Sequence, residues 1–507
     1  MRTGINVVRA GPELERTSVA WPQLSVPAGA VALALILTAG RYGYHRDELY
    51  FLQAGQHLAW GYVDQPPLTP LLARLMSTFA PESLVVLRLP SALAAGLVVL
   101  LTGLIARDLG ASRGGQVLAA SSMAVSSLLL AVGHLLSTST FDLLVWTGLS
   151  WLGVRALQGD ERLWLAVGAL AGIGLLNKTL VIFFLAGLLA GVLAVGPRDV
   201  LRSRFLWAGA AIAVTIWMPN LIWQARHGWP QLELSRAIAA GSSGTSEPPV
   251  LFIPYQLVLI SPALVPIWVA GLVRLLRNPG MRRVRAFAVA YLVLLLIFLV
   301  TSGKPYYLGG FYPVLLAAGA VPSITWLNRR RAWVRRTLLG AGLGLSAVIS
   351  ATLMLPIVPV SALAATPIPA VNYDAGETVG WPRFAATVTT VYETLPPAER
   401  AATVLLTENY GEAGALDRYG GPLGLPRAYS GHNSYWSWGP PPDGAQPVIT
   451  VGLRSDQLLR FFGTVSLAGQ IDNGVGLDND EQGAPIYVCR QPQQPWAQLW
   501  PQLRHIG

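Results

Sequence analysis

The chain has 507 residues, 53% hydrophobic and only 12% charged, with a mean hydropathy of +0.48. Soluble globular chains carry about a quarter charged residues, so that class is excluded and a polytopic membrane protein is implied. A net charge of +10 fits loop arginine at a membrane rather than nucleic-acid binding, and the single cysteine, Cys489, excludes an intramolecular disulfide framework and any Cys-based metal cluster.

Taken in chain order, the apolar runs predict about eleven transmembrane helices. They lie near 24–40, 84–106, 115–133, 138–155, 163–177, 179–196, 205–223, 250–273, 286–301, 307–327 and 337–357. The first run leads into a charged, aromatic segment rather than a small-residue cleavage site, so it reads as a retained helix. Every second connection is arginine-rich: Arg107 and Arg113, then Arg155 and Arg162, then Arg198, Arg202 and Arg204, then 274–285, then 329–336. The positive-inside rule places these loops and the N-terminus in the cytoplasm. Loops 41–83, 134–137, 177–178, 224–249 and 302–306 then face outward, and an odd number of spans sends the C-terminal part outward too.

Residues 1–363 are thus expected to form the transmembrane domain. Residues 364–507 are expected to form a small extracytoplasmic α/β domain behind the Pro-rich linker TPIPAVNYDAGE. Its short apolar runs TVLL, PVITVGL and PIYVC are separated by Gly, Pro and Asp. The stretch HNSYWSWGPPP holds Trp436 and Trp438 between glycines, where they serve either to stack on a sugar or to pack a tight turn. The chain shows no nucleotide-binding glycine loop, no HExxH and no GxSxG.

The outer loop 41–83 opens with Asp47 and Glu48. Ionisable residues at a membrane cavity are functional by default, yet acids also favour the first turn of an interfacial helix, and on the residues alone the two readings stand level. Asp142 lies four residues into a span, where it is either a cavity acid or a helix N-terminal acid. Asp64 precedes two prolines and reads first as a turn residue. Arg88 interrupts an apolar run near an outer end, either snorkelling or binding phosphate.

The segments DELYFLQAGQHL, GYVDQPPL, TSTFDLLVW, GLLNK, PNLIWQARHGWP and SGKPYYLGGFYP, in this order over residues 26–327, resemble the protein O-mannosyltransferase-like membrane glycosyltransferases of the GT-C class. That class includes the dolichyl-phosphate-mannose protein mannosyltransferases and the lipid A aminoarabinose transferases. The resemblance implies a polyprenyl-phosphate-linked sugar donor, an extracytoplasmic acceptor and inversion at the sugar. It implies Asp47 as general base, with Glu48 and Asp142 as further catalytic acids. Lys304, Tyr306, Tyr307, Arg88 and Lys178 are donor-binding candidates; Trp436, Trp438 and His227 are acceptor-binding candidates. No metal ligand set and no cofactor are expected. The aminoarabinose transferases carry Lys where this chain has Gln65, which detaches the donor's identity from that branch.

Only two of the 36 basic residues are lysine, Lys178 and Lys304, and both fall in outer loops. An ammonium is a compact point charge, whereas guanidinium is a planar fork, so a narrow site beside a phosphate separates them. The arginine-rich, alanine-rich composition suggests a GC-rich bacterium, hence a bacterial plasma membrane. The competing expectations are a flippase for a lipid-linked glycan and a non-catalytic glycan-binding membrane protein; charge gathered at outer helix ends and the absence of an internal repeat argue against transport.

Overall fold

A computed structural model describes residues 17–240 and 249–507. All eleven expected segments contain helix. Among the described residues, five helices are at least 18 residues long and apolar enough to cross a membrane: α1 (Trp21–Thr38), α4 (Leu84–Asp108), α10 (Arg204–Arg226), Pro305–Leu327 and α16 (Ala332–Met354). Two bent pairs raise that number to seven. The first is α5 (Arg113–Ala124) with α6 (Ser127–Gly133), bent by 58°, where Ser126 recaps the chain through the Leu129 amide. The second joins α12 (Phe252–Ile260) to the helical run Pro262–Arg277 at 85°. Its break falls at Ser261, φ +79°, just before Pro262, which has no N–H to continue the ladder. The count of eleven crossings therefore exceeds what length and composition support. Apolar runs do not reveal where a helix breaks, and α8 (Leu163–Leu175), α9 (Val181–Val195) and α14 (Ala286–Val300) are short.

Close helix approach depends on small residues, as in bundles that lack a hydrophobic drive between helices. Gly271 of α13 (Val265–Arg277) faces α15 (Tyr312–Leu327), and a Cβ there would stand 1.8 Å from the Leu315 carbonyl oxygen. The arginine-rich loops gather at one end of the bundle. Arg107 donates to the Thr17 carbonyl, Arg274 to that of Leu109 and Arg283 to that of Leu157.

At the opposite end lie α2 (Arg46–Gln56), α3 (Leu68–Phe79) and the C-terminal region. That region is built on a five-stranded sheet of order β2-β1-β3-β5-β4. β1 (Val404–Thr407) runs parallel to β2 (Ala428–Ser430) and β3 (Val448–Val451); β5 (Pro485–Pro492) is antiparallel to β3 and to β4 (Phe462–Gln470). The helices Trp381–Thr394 and Tyr410–Tyr419 bury apolar faces here. Leu49 and Tyr50 of α2 share one core with Leu405, Leu416 and Tyr435. The segment expected to be a polar linker instead forms two short helices, Ile368–Val371 and Tyr373–Gly376, against the start of α2.

Candidate active site

The start of α2 is fixed from several sides. His45 caps it, accepting from the Asp47 amide at 3.2 Å, while the His45 amide donates to Glu48 Oε2 at 2.9 Å. Arg46 Nη1 reaches Glu377 Oε2 at 3.2 Å and Asp480 Oδ2 at 2.9 Å, both from the C-terminal region. Glu48 is fully buried and receives Arg88 Nε at 2.8 Å, Arg88 Nη2 at 2.7 Å and the Leu136 amide at 2.8 Å. Arg88 also donates to the carbonyls of Ala39 and Gly43, each at 2.8 Å. Burial alone would raise the Glu48 carboxyl, but Arg88 and the two amides hold it below the ordinary glutamate value.

This leaves Asp47 as the acid of the pair that faces a cavity of about 360 Å³ at the end opposite the arginine loops. Asp47 Oδ1 accepts the Tyr410 hydroxyl at 2.8 Å. Asp64 and Gln65 line the same cavity, and Asp64 Oδ1 accepts the Tyr50 hydroxyl at 2.7 Å. Burial lifts the Asp64 carboxyl to about 7. Lys178, Lys304, Tyr306 and Tyr307 also line it. Lys178 Nζ donates to Ser139 Oγ at 3.0 Å and sits 5.2 and 5.6 Å from the ring centres of Tyr306 and Tyr307. Lys304 immediately precedes the 3₁₀ segment Pro305–Phe311 and makes no side-chain cap to it; its ammonium lies within electrostatic reach of Asp47 and Asp374. Burial, with the neighbouring charge of Lys178, lowers it to about 8. The cavity thus joins a carboxylate to two ammonium groups and a wall of phenols: groups able to take a proton from a hydroxyl beside groups able to hold an anion. Among the described residues no group of three His, Cys, Asp or Glu side chains is suited to a metal ion.

Residues 64–223 match the sequence model of the dolichyl-phosphate-mannose-protein mannosyltransferase family. The fold is similar to ArnT from Cupriavidus metallidurans bound to undecaprenyl phosphate, with a TM-score of 0.58 at 14% identity over 92% of this chain and 98% of that one. The chain has the GT-C fold. The arabinofuranosyltransferase AftD from Mycobacteria aligns at a TM-score of 0.52 and 14% identity, over 95% of this chain and 41% of that one. The oligosaccharyltransferase of Archaeoglobus fulgidus aligns at 0.50 and 13%, over 78% and 63%. No curated protein sequence matches.

Within this GT-C chain the remaining candidates are scattered. Asp142, on α7 (Thr138–Leu157), is buried, and its Oδ1 has no hydrogen-bond partner among the described residues; it lies within electrostatic reach of Lys178. Arg88 faces Glu48 instead of the cavity. His227 is exposed and stacks on Trp223 with ring centres 4.0 Å apart. Trp436 donates to the Trp500 carbonyl at 2.9 Å and packs in the sheet's own core. Trp438 stacks on His57 with ring centres 4.4 Å apart, at the seam with α2. Sequence reasoning missed Tyr410, which reaches Asp47 from the C-terminal region; nothing in TVLLTENYGE marks it.

Proposed function

We propose that the protein is a membrane glycosyltransferase that moves a sugar from a polyprenyl-phosphate donor to a hydroxyl-bearing acceptor outside the membrane, with inversion. One observation carries the reading: a single cavity holds Asp47 together with Lys178 and Lys304. The acceptor hydroxyl attacks the anomeric carbon and its proton passes to Asp47. The bond from that carbon to the phosphate oxygen breaks, and its electron pair leaves with polyprenyl phosphate. The two ammonium groups bind that phosphate, and the phenols of Tyr306 and Tyr307 stand beside Lys178. Phosphate is a good leaving group, so one carboxylate acting as base suffices and no second acid is needed. The reading includes no resident metal or cofactor.

The bound undecaprenyl phosphate named for ArnT supports this donor class. In this reading the five long helices, the two bent pairs, the three shorter apolar helices and α7 cross a bacterial plasma membrane eleven times. The arginine loops and the N-terminus lie in the cytoplasm and residues 364–507 lie outside. Glu48 and Arg88 act as the tie between α2 and α4 rather than as reacting groups, and Asp142 balances Lys178 from α7.

The test uses the purified protein in liposomes supplied with radiolabelled polyprenyl-phosphate sugars and a cell-envelope extract as acceptor. Label moving to the extract without an ion gradient supports the reading. Lipid crossing the bilayer with its sugar intact makes the protein a flippase and sinks it.

A further inference from the structure

The sheet carries a second cavity, of about 540 Å³, that this reaction scheme does not use. It lies at the carboxyl ends of the three parallel strands: Glu408 and Asn409 follow β1, His432 follows β2 and Gly452 follows β3. β2 lies on one side of β1 and β3 on the other. Such a reversal of strand order leaves a crevice at the carboxyl edge of an open α/β sheet, the place where ligands bind.

The walls narrow the ligand's chemistry. The carboxyl groups of Glu408, Glu412 and Asp480 line the crevice and disfavour an anion. Arg46 is already paired with Glu377 and Asp480. The first amides of helix Tyr410–Tyr419 are taken by Asn409 Oδ1, at 2.8 Å from Gly411 and 3.0 Å from Glu412. Glu412 Oε2 in turn accepts from the Glu408 and Asn409 amides. An apolar chain would leave without hydrogen bonds the Glu408 carboxyl and Arg46 Nε, which has no partner among the described residues. Arg46 lines the same crevice and opposes a free cation, so a neutral ligand with several hydroxyls fits best. Burial lifts the Glu412 carboxyl to about 8, so around neutral pH it donates while the other oxygens of this wall accept; burial also raises the Glu408 carboxyl. Behind it Glu481 is 4% exposed, and neither of its carboxyl oxygens has a hydrogen-bond partner among the described residues.

We propose that this crevice is a saccharide subsite that holds a neutral sugar unit of the acceptor beside the catalytic cavity. Calling the ligand an acceptor rests on the glycosyltransferase reading. Arg46 lines this crevice and the adjacent Asp47 lines the other cavity. Tyr410 stands between them, with the Arg46 guanidinium 5.4 Å from its ring centre and its hydroxyl on Asp47. A sugar held here is positioned by the same residues that fix the base.

The experiment uses the full-length protein in nanodiscs, saturation-transfer NMR, and the methyl glycosides of mannose, galactose and arabinose as probes. Glu408 is exposed and its side chain holds no other element in place, so Glu408→Trp fills the crevice and Glu408→Ala trims it. At least one glycoside should bind the wild type. Its affinity should fall about tenfold or more in Glu408→Trp, and less in Glu408→Ala, while undecaprenyl-phosphate binding stays unchanged. If no glycoside binds the wild type, or if binding survives Glu408→Trp, the subsite is overturned. If spermidine binds there and displaces the glycosides, the crevice recognises cations and the proposal falls. Failure of the glycosyltransferase reading shows separately, as a wild type that transfers no sugar whatever its glycoside signal.

Discussion

Asp47 and Glu48 are adjacent acids with opposite surroundings, and the roles proposed for them rest on this difference. Glu48 is enclosed by Arg88 and two amides, whereas Asp47 meets a cavity and a single phenol. Asp47→Asn keeps the size and removes the base, so transfer should fall about a hundred- to ten-thousandfold with donor binding intact. Near-normal turnover in the purified variant would remove Asp47 from the mechanism. Tyr410→Phe deletes one hydrogen bond to that carboxylate and should lower kcat about tenfold with donor affinity unchanged; a change in donor affinity instead would make Tyr410 a donor ligand. Lys304→Ala should weaken donor binding, and Lys304→Arg should not fully restore it, because a planar fork does not fit where a compact cation does. The Lys304 ammonium loses its proton near pH 8, so in the wild type donor affinity should drop as pH rises through that value. Calorimetry across that range checks this, and an unchanged slope in Lys304→Ala would assign the titration elsewhere. Asp47, Lys178, Lys304, Tyr306 and Tyr307 were legible because they stand in the segments that carry the family resemblance. Tyr410 was not legible, since its partner lies 363 positions away and only the packing of the sheet against α2 brings the two together.

At the scale of elements, α2 is held to α4 by the buried Glu48–Arg88 pair. Removing one member strands the other: Glu48→Gln or Arg88→Met should each destabilise the protein by about 3–5 kcal/mol. The double variant Glu48→Gln with Arg88→Met leaves no buried charge and should recover part of the loss, which thermal melts in detergent will report. A double variant as unstable as the worse single one would show that the neighbouring amide contacts, and not the charge pair, hold α2. The folded-state Glu48 carboxyl lies below its unfolded value, so its contribution is fully present above the ordinary glutamate range. It is lost as pH falls through the depressed folded value, and the double variant should lack that acid-side loss. Helices were legible from apolar runs alone, since a run near twenty residues can bury its backbone groups only by coiling. The breaks at Ser126 and Ser261 were not, because each depends on a local cap or a proline within an apolar run. An interfacial helix with acids in its first turn was one of the two level readings of the start of α2. Its burial under helix Tyr410–Tyr419 was not foreseen, because the partner comes from the far end of the chain.

For the whole molecule, the arginine loops share one end and the cavity with its sheet domain occupies the other. The proposed mechanism needs that second end to face outward, where acceptors are. The chain's single cysteine makes this a clean measurement. Cys489 is fully buried in the sheet core and burial pushes its thiol up to about 11, so it should stay silent toward maleimides without being replaced. Asp443 lies on an exposed turn of the same domain, and Arg282 lies in an arginine-rich loop at the other end. Asp443→Cys should therefore react with a membrane-impermeant maleimide on intact spheroplasts. Arg282→Cys should react only after the membrane is opened. Both substitutions sit on exposed surface and should leave sugar transfer unchanged, so a labelled sample can be shown to be folded. The reverse pattern would put the cavity in the cytoplasm, separate Asp47 from any extracytoplasmic acceptor, and overturn the direction of the reaction along with the topology.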